Sequence, residues 1–196
     1  MAIFLDNISP AKATLLCGTA GIVSSSVFYC MNTTINYLTF PTILLGQPPR
    51  PGSKASGNFF VHAMDVPASS VSHLNRQWQE IYFRGHRIGP ALAIIGGTVF
   101  STASYLSDQV FVKQVFAAAT ISSFAIVPYT LLFMLSTNDE LHRRSFAIVK
   151  DPLASKNMDE SETAALISKW VALSKVRANI ALLSACLGVV GIIALS

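Results

Sequence analysis

The chain has 196 residues, of which 52% are hydrophobic and only 12% are charged, and its mean hydropathy is +0.50. Soluble domains carry about a quarter charged residues, so this composition excludes an ordinary soluble globule and indicates a membrane protein. The formal net charge of +4 does not predict a nucleic-acid partner, because the sequence has no basic run interleaved with aromatic residues.

Four long apolar segments predict membrane-spanning helices, since about 20 helical residues cross a hydrocarbon layer of about 30 Å. The third segment contains Pro128, around which we expect the helix to kink. Gly, Ala and Ser recur in all four segments, and such small residues let membrane helices pack closely. The predicted fold class is an all-α integral membrane protein, with residues 1–196 forming one four-transmembrane-helix bundle. The predicted spans are 13–31, 88–106, 115–135 and 176–195.

Two long polar loops, 32–87 and 136–175, lie on the same side of a four-span protein, and each is expected to contain a helix. Of the 14 Lys and Arg residues, only Lys12 and Lys113 fall on the opposite side, with the termini. The positive-inside rule therefore predicts cytosolic loops in the endoplasmic reticulum or another internal membrane.

The first loop carries several chemically interesting side chains near its predicted helix. Trp78 and Tyr82 are four residues apart, so they share a helical face and could form the wall of an aromatic site. The alternatives are ordinary packing or an interfacial aromatic belt. His73, Gln77 and Glu80 share another face, which fits either an oriented base or a solvated surface.

The second loop offers another pair of polar residues. Asn138 and His142 share a face just past the third span, where an amide could orient a substrate or oxygen beside an imidazole base. The alternative for Asn138 is an N-cap of the following turn. Arg177 lies where lipid begins, so it needs a partner: a substrate phenolate, a lipid phosphate, or the carboxylate of Asp139 or Glu140.

Four histidines raise the alternative of a copper or iron site. The residues with suitable ligand atoms are His62, His73, His86 and His142, together with Asp65. Their spacing along the chain matches no local metal-binding signature. The sequence also has no G-x-S-x-G, G-x-G-x-x-G or P-loop motif, which argues against hydrolase, dinucleotide and nucleotide chemistry.

Three stretches resemble the DUF1772 membrane family and, more narrowly, its fungal anthrone oxygenase members, which serve polyketide biosynthesis. The stretches are "RQWQEIYFRGHRIGPALAIIGG", "STNDELHRR" and "WVALSKVRANIALLSACLG". The positions that match the family pattern are Trp78, Tyr82, Gly89, Pro90, Asn138, Trp170 and Arg177.

The resemblance implies a monooxygenase that oxidises an anthrone, such as emodin anthrone, to the anthraquinone with O2 as cosubstrate and without a cofactor. Its partners would be a hydrophobic aromatic polyketide and the lipid bilayer, and a homo-oligomer remains an open alternative. Two other functions also stay open. One is an oxygenase with histidine-ligated metal, and the other is a non-catalytic membrane scaffold or transport protein.

The reaction needs a base, a group that stabilises an anion, and protection from water. Under the resemblance we assign the base to His73 or His142 and anion stabilisation to Arg177 or Arg84. Asn138 would orient oxygen, and the aromatic pair of the first loop, Trp78 and Tyr82, would stack on the substrate rings.

Overall fold

The computed structural model describes residues 9–40 and 71–196, and within these ranges the chain is helical and contains no strand. The α-helices are α1 (Pro10–Thr34), α2 (Val71–Leu106), α3 (Val110–Tyr129), α4 (Leu135–Lys150) and α5 (Glu160–Leu195). α1 continues into a π-helical segment (Ile35–Thr39), and a second π-helical segment (Thr130–Met134) joins α3 to α4. A 3-10 helix (Pro152–Asn157) precedes α5.

Four helical rods are long and apolar enough to cross a membrane: Pro10–Thr39, His73–Leu106, Val110–Lys150 and Ser161–Leu195. The predicted fold class is therefore confirmed. The rods form a closed ring, because α1 and α3 each pack against both α2 and α5. We call the end of the bundle formed by the last turns of α1, the start of α2, α4 and the start of α5 the loop end.

The helices continue well beyond the apolar segments at the loop end. The first predicted span stops at 31 and the third at 135, whereas helical structure continues to Thr39 and Lys150. Hydropathy locates only the apolar part of each rod, and the extensions mix buried and exposed faces.

At the start of α5, the Asp159 carboxylate accepts a hydrogen bond from the Ser161 backbone N–H at 2.8 Å. Hydrogen bonds from Ser161 lower the pKa of this capping carboxyl.

A π-helical segment begins two residues after Pro128, at Thr130. Proline has no N–H for the helical ladder, so the helix lacks one backbone hydrogen bond at Pro128, where we predicted the kink. The chain continues as helix α4, whose buried face closes one side of the loop end.

Glycines let the helices approach closely at the opposite end of the bundle. The buried ring of Phe100 lies between Gly21 of α1 and Gly188 of α5. A Cβ atom at Gly21 would lie 2.6 Å from Phe100 Cδ1, and one at Gly188 would lie 2.7 Å from Phe100 Cε1. Because the ring is held on both sides, it has no room to move away from an added methyl group.

Serine hydroxyls link the helices across the middle of the bundle. Four of them donate to a backbone carbonyl of another helix, so these four hydroxyls are paired inside an apolar interior. These bonds are Ser24 to Leu92 O (2.8 Å), Ser122 to Ile180 O (3.0 Å), Ser123 to Ala93 O (3.0 Å) and Ser184 to Ala119 O (2.9 Å).

We expect Gly21→Ala to lower the thermal unfolding temperature of the detergent-solubilised protein. The added methyl group would collide with the Phe100 ring, and overpacking of this kind costs on the order of 1–3 kcal/mol. Gly85→Ala is the matched control, because a Cβ there meets nothing within 4 Å. The control should be neutral or slightly stabilising, since Ala is the better helix former. Equal melting temperatures for the two variants would contradict the close packing described here.

Candidate active site

Aromatic side chains from three rods meet at the loop end. On α2 the four-residue spacing stacks Trp78 on Tyr82, with ring centroids 5.1 Å apart and planes at 27°. One turn further on, His86 stacks on the other side of Tyr82, with centroids 5.4 Å apart and planes at 2°. α2 thus carries a continuous stripe of three rings.

α4 and α5 add two further rings to this stripe. His142 meets Tyr82 edge-on at a centroid distance of 4.5 Å and Trp78 at 5.0 Å. Trp170 lies perpendicular to Trp78 at 6.4 Å. We call these five residues the aromatic cluster. Trp78 is completely buried, so it is not part of an interfacial aromatic belt; Tyr82 and His142 are only partly buried.

Asn138 is fixed by the aromatic cluster. The indole Nε1–H of Trp170 donates to Asn138 Oδ1 at 2.8 Å in a buried position. Because an indole nitrogen only donates, the contacting atom must be the amide oxygen, and Nδ2 remains as the donor of Asn138. Asn138 lies inside α4, so the alternative of an N-cap is wrong.

Arg177 has a partner that the sequence did not suggest. Its Nη2 donates to Asn32 Oδ1 at 2.8 Å, and Ser174 Oγ donates to the same oxygen at 3.2 Å. Asn32 Nδ2 in turn donates to Phe28 O at 2.9 Å, which holds the amide in one orientation. The guanidinium also lies 5.7 Å from the centre of the Phe28 ring.

The carboxylate of Glu140, an expected alternative partner for Arg177, is engaged elsewhere. It accepts from Arg143 Nη2 at 2.7 Å and from Arg144 Nε at 2.8 Å. Arg177 lies seven residues after Trp170 of the aromatic cluster, about two turns further along the same face of α5. A permanent cation therefore lies in the same bundle end without a carboxylate bound to it among the described residues.

Two of the expected site residues lie away from the aromatic cluster. His73 is exposed, with its Nε2 2.7 Å from Gln77 Nε2, and it lines a surface groove of about 540 Å³. The Arg84 side chain is 81% exposed and lies 3.6 Å from Glu80. The structure thus brings together Trp78, Tyr82, Asn138 and His142, with Arg177 about two turns beyond Trp170 on α5, but not His73 or Arg84.

Two residues of the alternative metal site, His62 and Asp65, lie outside the described residues. His86 and His142 both contact Tyr82, whereas His73 lies in the groove. Within residues 9–40 and 71–196 no group of three or more His, Cys, Asp and Glu side chains is arranged to hold a metal ion.

Asn32 and Asn36 were not expected at the site, because the predicted first span ended at residue 31. Both are buried in the helical extension of α1. The available signal was their four-residue spacing, which places two amides on one face immediately after an apolar segment.

The chain is similar to known proteins over the region that carries the aromatic cluster. A family model described as anthrone oxygenase matches residues 78–187, which include the aromatic cluster, Asn138 and Arg177. No solved structure matches the chain.

Curated relatives come from several fungi. Anthrone oxygenase encC of Aspergillus fumigatus is 35% identical over 120 residues, covering 58% of this chain and 66% of the relative. Noranthrone monooxygenase of Aspergillus flavus is 29% identical over 138 residues, covering 67% of this chain and 64% of the relative. An anthrone oxygenase of Claviceps purpurea is 31% identical over 141 residues, covering 68% of this chain and 79% of the relative.

For the first three relatives, including a monooxygenase of Dothistroma septosporum, the matched part covers 66, 64 and 62% of their length, which is less than two thirds. The family match itself covers more than half of this chain, from the buried Trp78 to Leu187, in the last third of α5. This chain belongs to the anthrone oxygenase family.

Proposed function

We propose that this protein is an oxygenase that converts an anthrone to the corresponding anthraquinone with O2. The observation that carries the proposal is the convergence of the Trp78, Tyr82 and His142 rings at the loop end of a bundle that also holds the Arg177 guanidinium, bonded to Asn32. Flat rings, a base and a fixed cation are what the oxidation of a flat, acidic aromatic ketone requires. The names of the relatives favour the same reaction.

The reaction balances as anthrone plus O2 giving anthraquinone plus water. A base removes one proton from the C10 methylene, and the charge spreads to the C9 oxygen as a phenolate. This electron-rich anion gives one electron to O2, and the resulting radical and superoxide combine to a C10 peroxide. Protonation of the peroxide, loss of the second C10 hydrogen and cleavage of the O–O bond release water and leave the C10 ketone.

We assign the base to His142. Its ring touches Tyr82 and Trp78, so a substrate held against those rings would have the imidazole beside it. His73 remains the alternative base, but it is exposed and lines the surface groove. An apolar setting also keeps water from competing for the anion.

We assign stabilisation of the phenolate to Arg177. A guanidinium in an apolar bundle interacts strongly with an anion because little water screens it. The other proposed candidate, Arg84, is largely exposed and close to Glu80, so water and a carboxylate would weaken its effect. Asn138, fixed through Trp170, would direct its Nδ2 donor to bound oxygen or peroxide.

The direct test is the conversion of emodin anthrone to emodin by purified protein under air, compared with spontaneous oxidation. We expect turnover above the spontaneous rate, with and without EDTA, because the anthrone anion itself reduces O2. Loss of turnover with EDTA, together with bound iron or copper by elemental analysis, would favour the metal-dependent oxygenase. No rate above background would favour a scaffold or transport protein.

Replacing each candidate base in turn tests whether His142 or His73 removes the proton. We expect His142→Gln to lower kcat by about two to four orders of magnitude, because a positioned general base contributes this much. His73→Gln is the matched control and should retain turnover close to that of the unchanged protein. The reverse result would move the base to His73, and two active variants would remove histidine from the mechanism.

We also propose that the loop end faces the cytosol and that the membrane is the endoplasmic reticulum or another internal membrane. Twelve of the fourteen Lys and Arg residues lie in the long loops or at the start of the last span, a bias that favours the cytosolic side.

Glycosylation acceptors can test this orientation. An acceptor on a flexible linker after Ser196 should be glycosylated in microsomes, whereas one inserted at Asn157 should not. Modification at Asn157 alone would reverse the proposed orientation.

A further inference from the structure

A buried amide at the loop end has no hydrogen-bond partner among the described residues. Asn36, in the π-helical segment after α1, is 2% exposed, and both its Nδ2 and its Oδ1 are unpaired there. Within the described part of the chain the hydroxyls of Thr137 and Ser145 on α4 are also unpaired, but only Asn36 leaves both a donor and an acceptor of one amide unused. Burying an unpaired amide is unfavourable, and native structures contain few such groups. An unpaired amide inside an apolar bundle therefore calls for an explanation.

The contacts of its neighbours locate Asn36 along the bundle. One turn before it, Asn32 binds Arg177, and one turn after it, Phe40 packs on Trp170 at a centroid distance of 5.2 Å. Asn32, Asn36 and Phe40 are all buried. Asn36 consequently lies between the levels of Arg177 and Trp170 on α5, on the side of α1 that faces the interior.

Two more buried nitrogens near this level are unpaired. Trp78 Nε1 and Arg177 Nε have no partner among the described residues, although other atoms of both side chains are well packed or bonded. Together with Asn36 they supply three kinds of N–H donor and one amide acceptor. A ligand that satisfies this set needs oxygen acceptors and also at least one hydroxyl donor.

We propose that Asn36 is a substrate-binding residue that selects hydroxylated tricyclic ketones. Its amide exchanges hydrogen bonds with a ring oxygen and a phenolic hydroxyl, while the N–H groups of Trp78 and Arg177 face the remaining oxygens. An unsubstituted anthrone offers one carbonyl acceptor and no donor, so it leaves Asn36 Oδ1 unpaired. This inference rests on the proposed function and adds a specificity determinant outside the region 78–187 that the family model matches.

The test compares Asn36→Leu with the unchanged protein, because leucine has a similar volume but cannot hydrogen-bond. We expect KM for emodin anthrone to rise about tenfold or more, the change that corresponds to one lost hydrogen bond to a buried group. KM for unsubstituted anthrone should change much less, and kcat should stay within a few-fold. The ligand-free variant should melt at the same or a higher temperature, because an unpaired buried amide has been removed.

Asn32→Leu is the matched control one turn away on the same helix. It removes the oxygen that binds Arg177 and Ser174, so the ligand-free protein should melt at a lower temperature. If Asn36→Leu also lowers the melting temperature and leaves the preference for emodin anthrone unchanged, Asn36 is structural and the proposal is wrong.

A separate binding measurement distinguishes failure of this proposal from failure of the proposed function. Emodin, added as the probe, should raise the melting temperature of the unchanged protein more than that of Asn36→Leu. If turnover is absent but this difference remains, the site binds hydroxylated ketones and only the reaction is wrong. If emodin shifts neither protein, or shifts both equally, Asn36 does not bind this ligand class.

Discussion

The bond between Arg177 and Asn32 is the interaction on which the loop end depends. A guanidinium in an apolar bundle must find a polar partner inside the protein or reach water, because the hydrocarbon offers neither. Asn32 supplies a neutral oxygen, held in place by its own bond to Phe28 O. The bond joins the first membrane helix to the last, and no carboxylate from residues 9–40 or 71–196 is bound to Arg177 to neutralise its positive charge. An anion stabiliser needs that remaining charge.

The two ends of the bundle are built on different principles. Away from the loops, phenylalanine rings fill spaces that only glycine leaves open, so the helices pack closely. Serine hydroxyls there donate hydrogen bonds to backbone carbonyls of neighbouring helices. At the loop end, large rings and amides come together, and several buried nitrogens have no partner among the described residues. Such unsatisfied polar atoms fit a site that gives up some stability to bind a ligand.

The family match and the structure cover different parts of the site. The matched region contains the aromatic cluster, Asn138 and Arg177, which are the residues we assign to the reaction itself. Asn32 lies in α1 and Asn36 in the π-helical segment that follows it, both before that region. If the reaction residues lie on α2, α4 and α5 and a substrate-selecting residue lies on the first helical segment, members of one family could share a reaction and differ in the anthrone they accept.

The sequence by itself determined the membrane class, the four spans and the helical faces that carry Trp78 with Tyr82 and Asn138 with His142. These follow from apolar length and from the 3.6-residue period, which are local properties of the chain. It overlooked Asn32 and Asn36, and it gave no reason to prefer His142 over His73, because both histidines lie on helical faces with polar neighbours.

Only the tertiary structure decided these points. It buried Asn32 beside Arg177, left Asn36 without a partner among the described residues, and placed His142 rather than His73 against the rings. Which helices are neighbours, and at what height they meet, depends on packing between segments up to 159 residues apart in the chain. No local pattern contains that information.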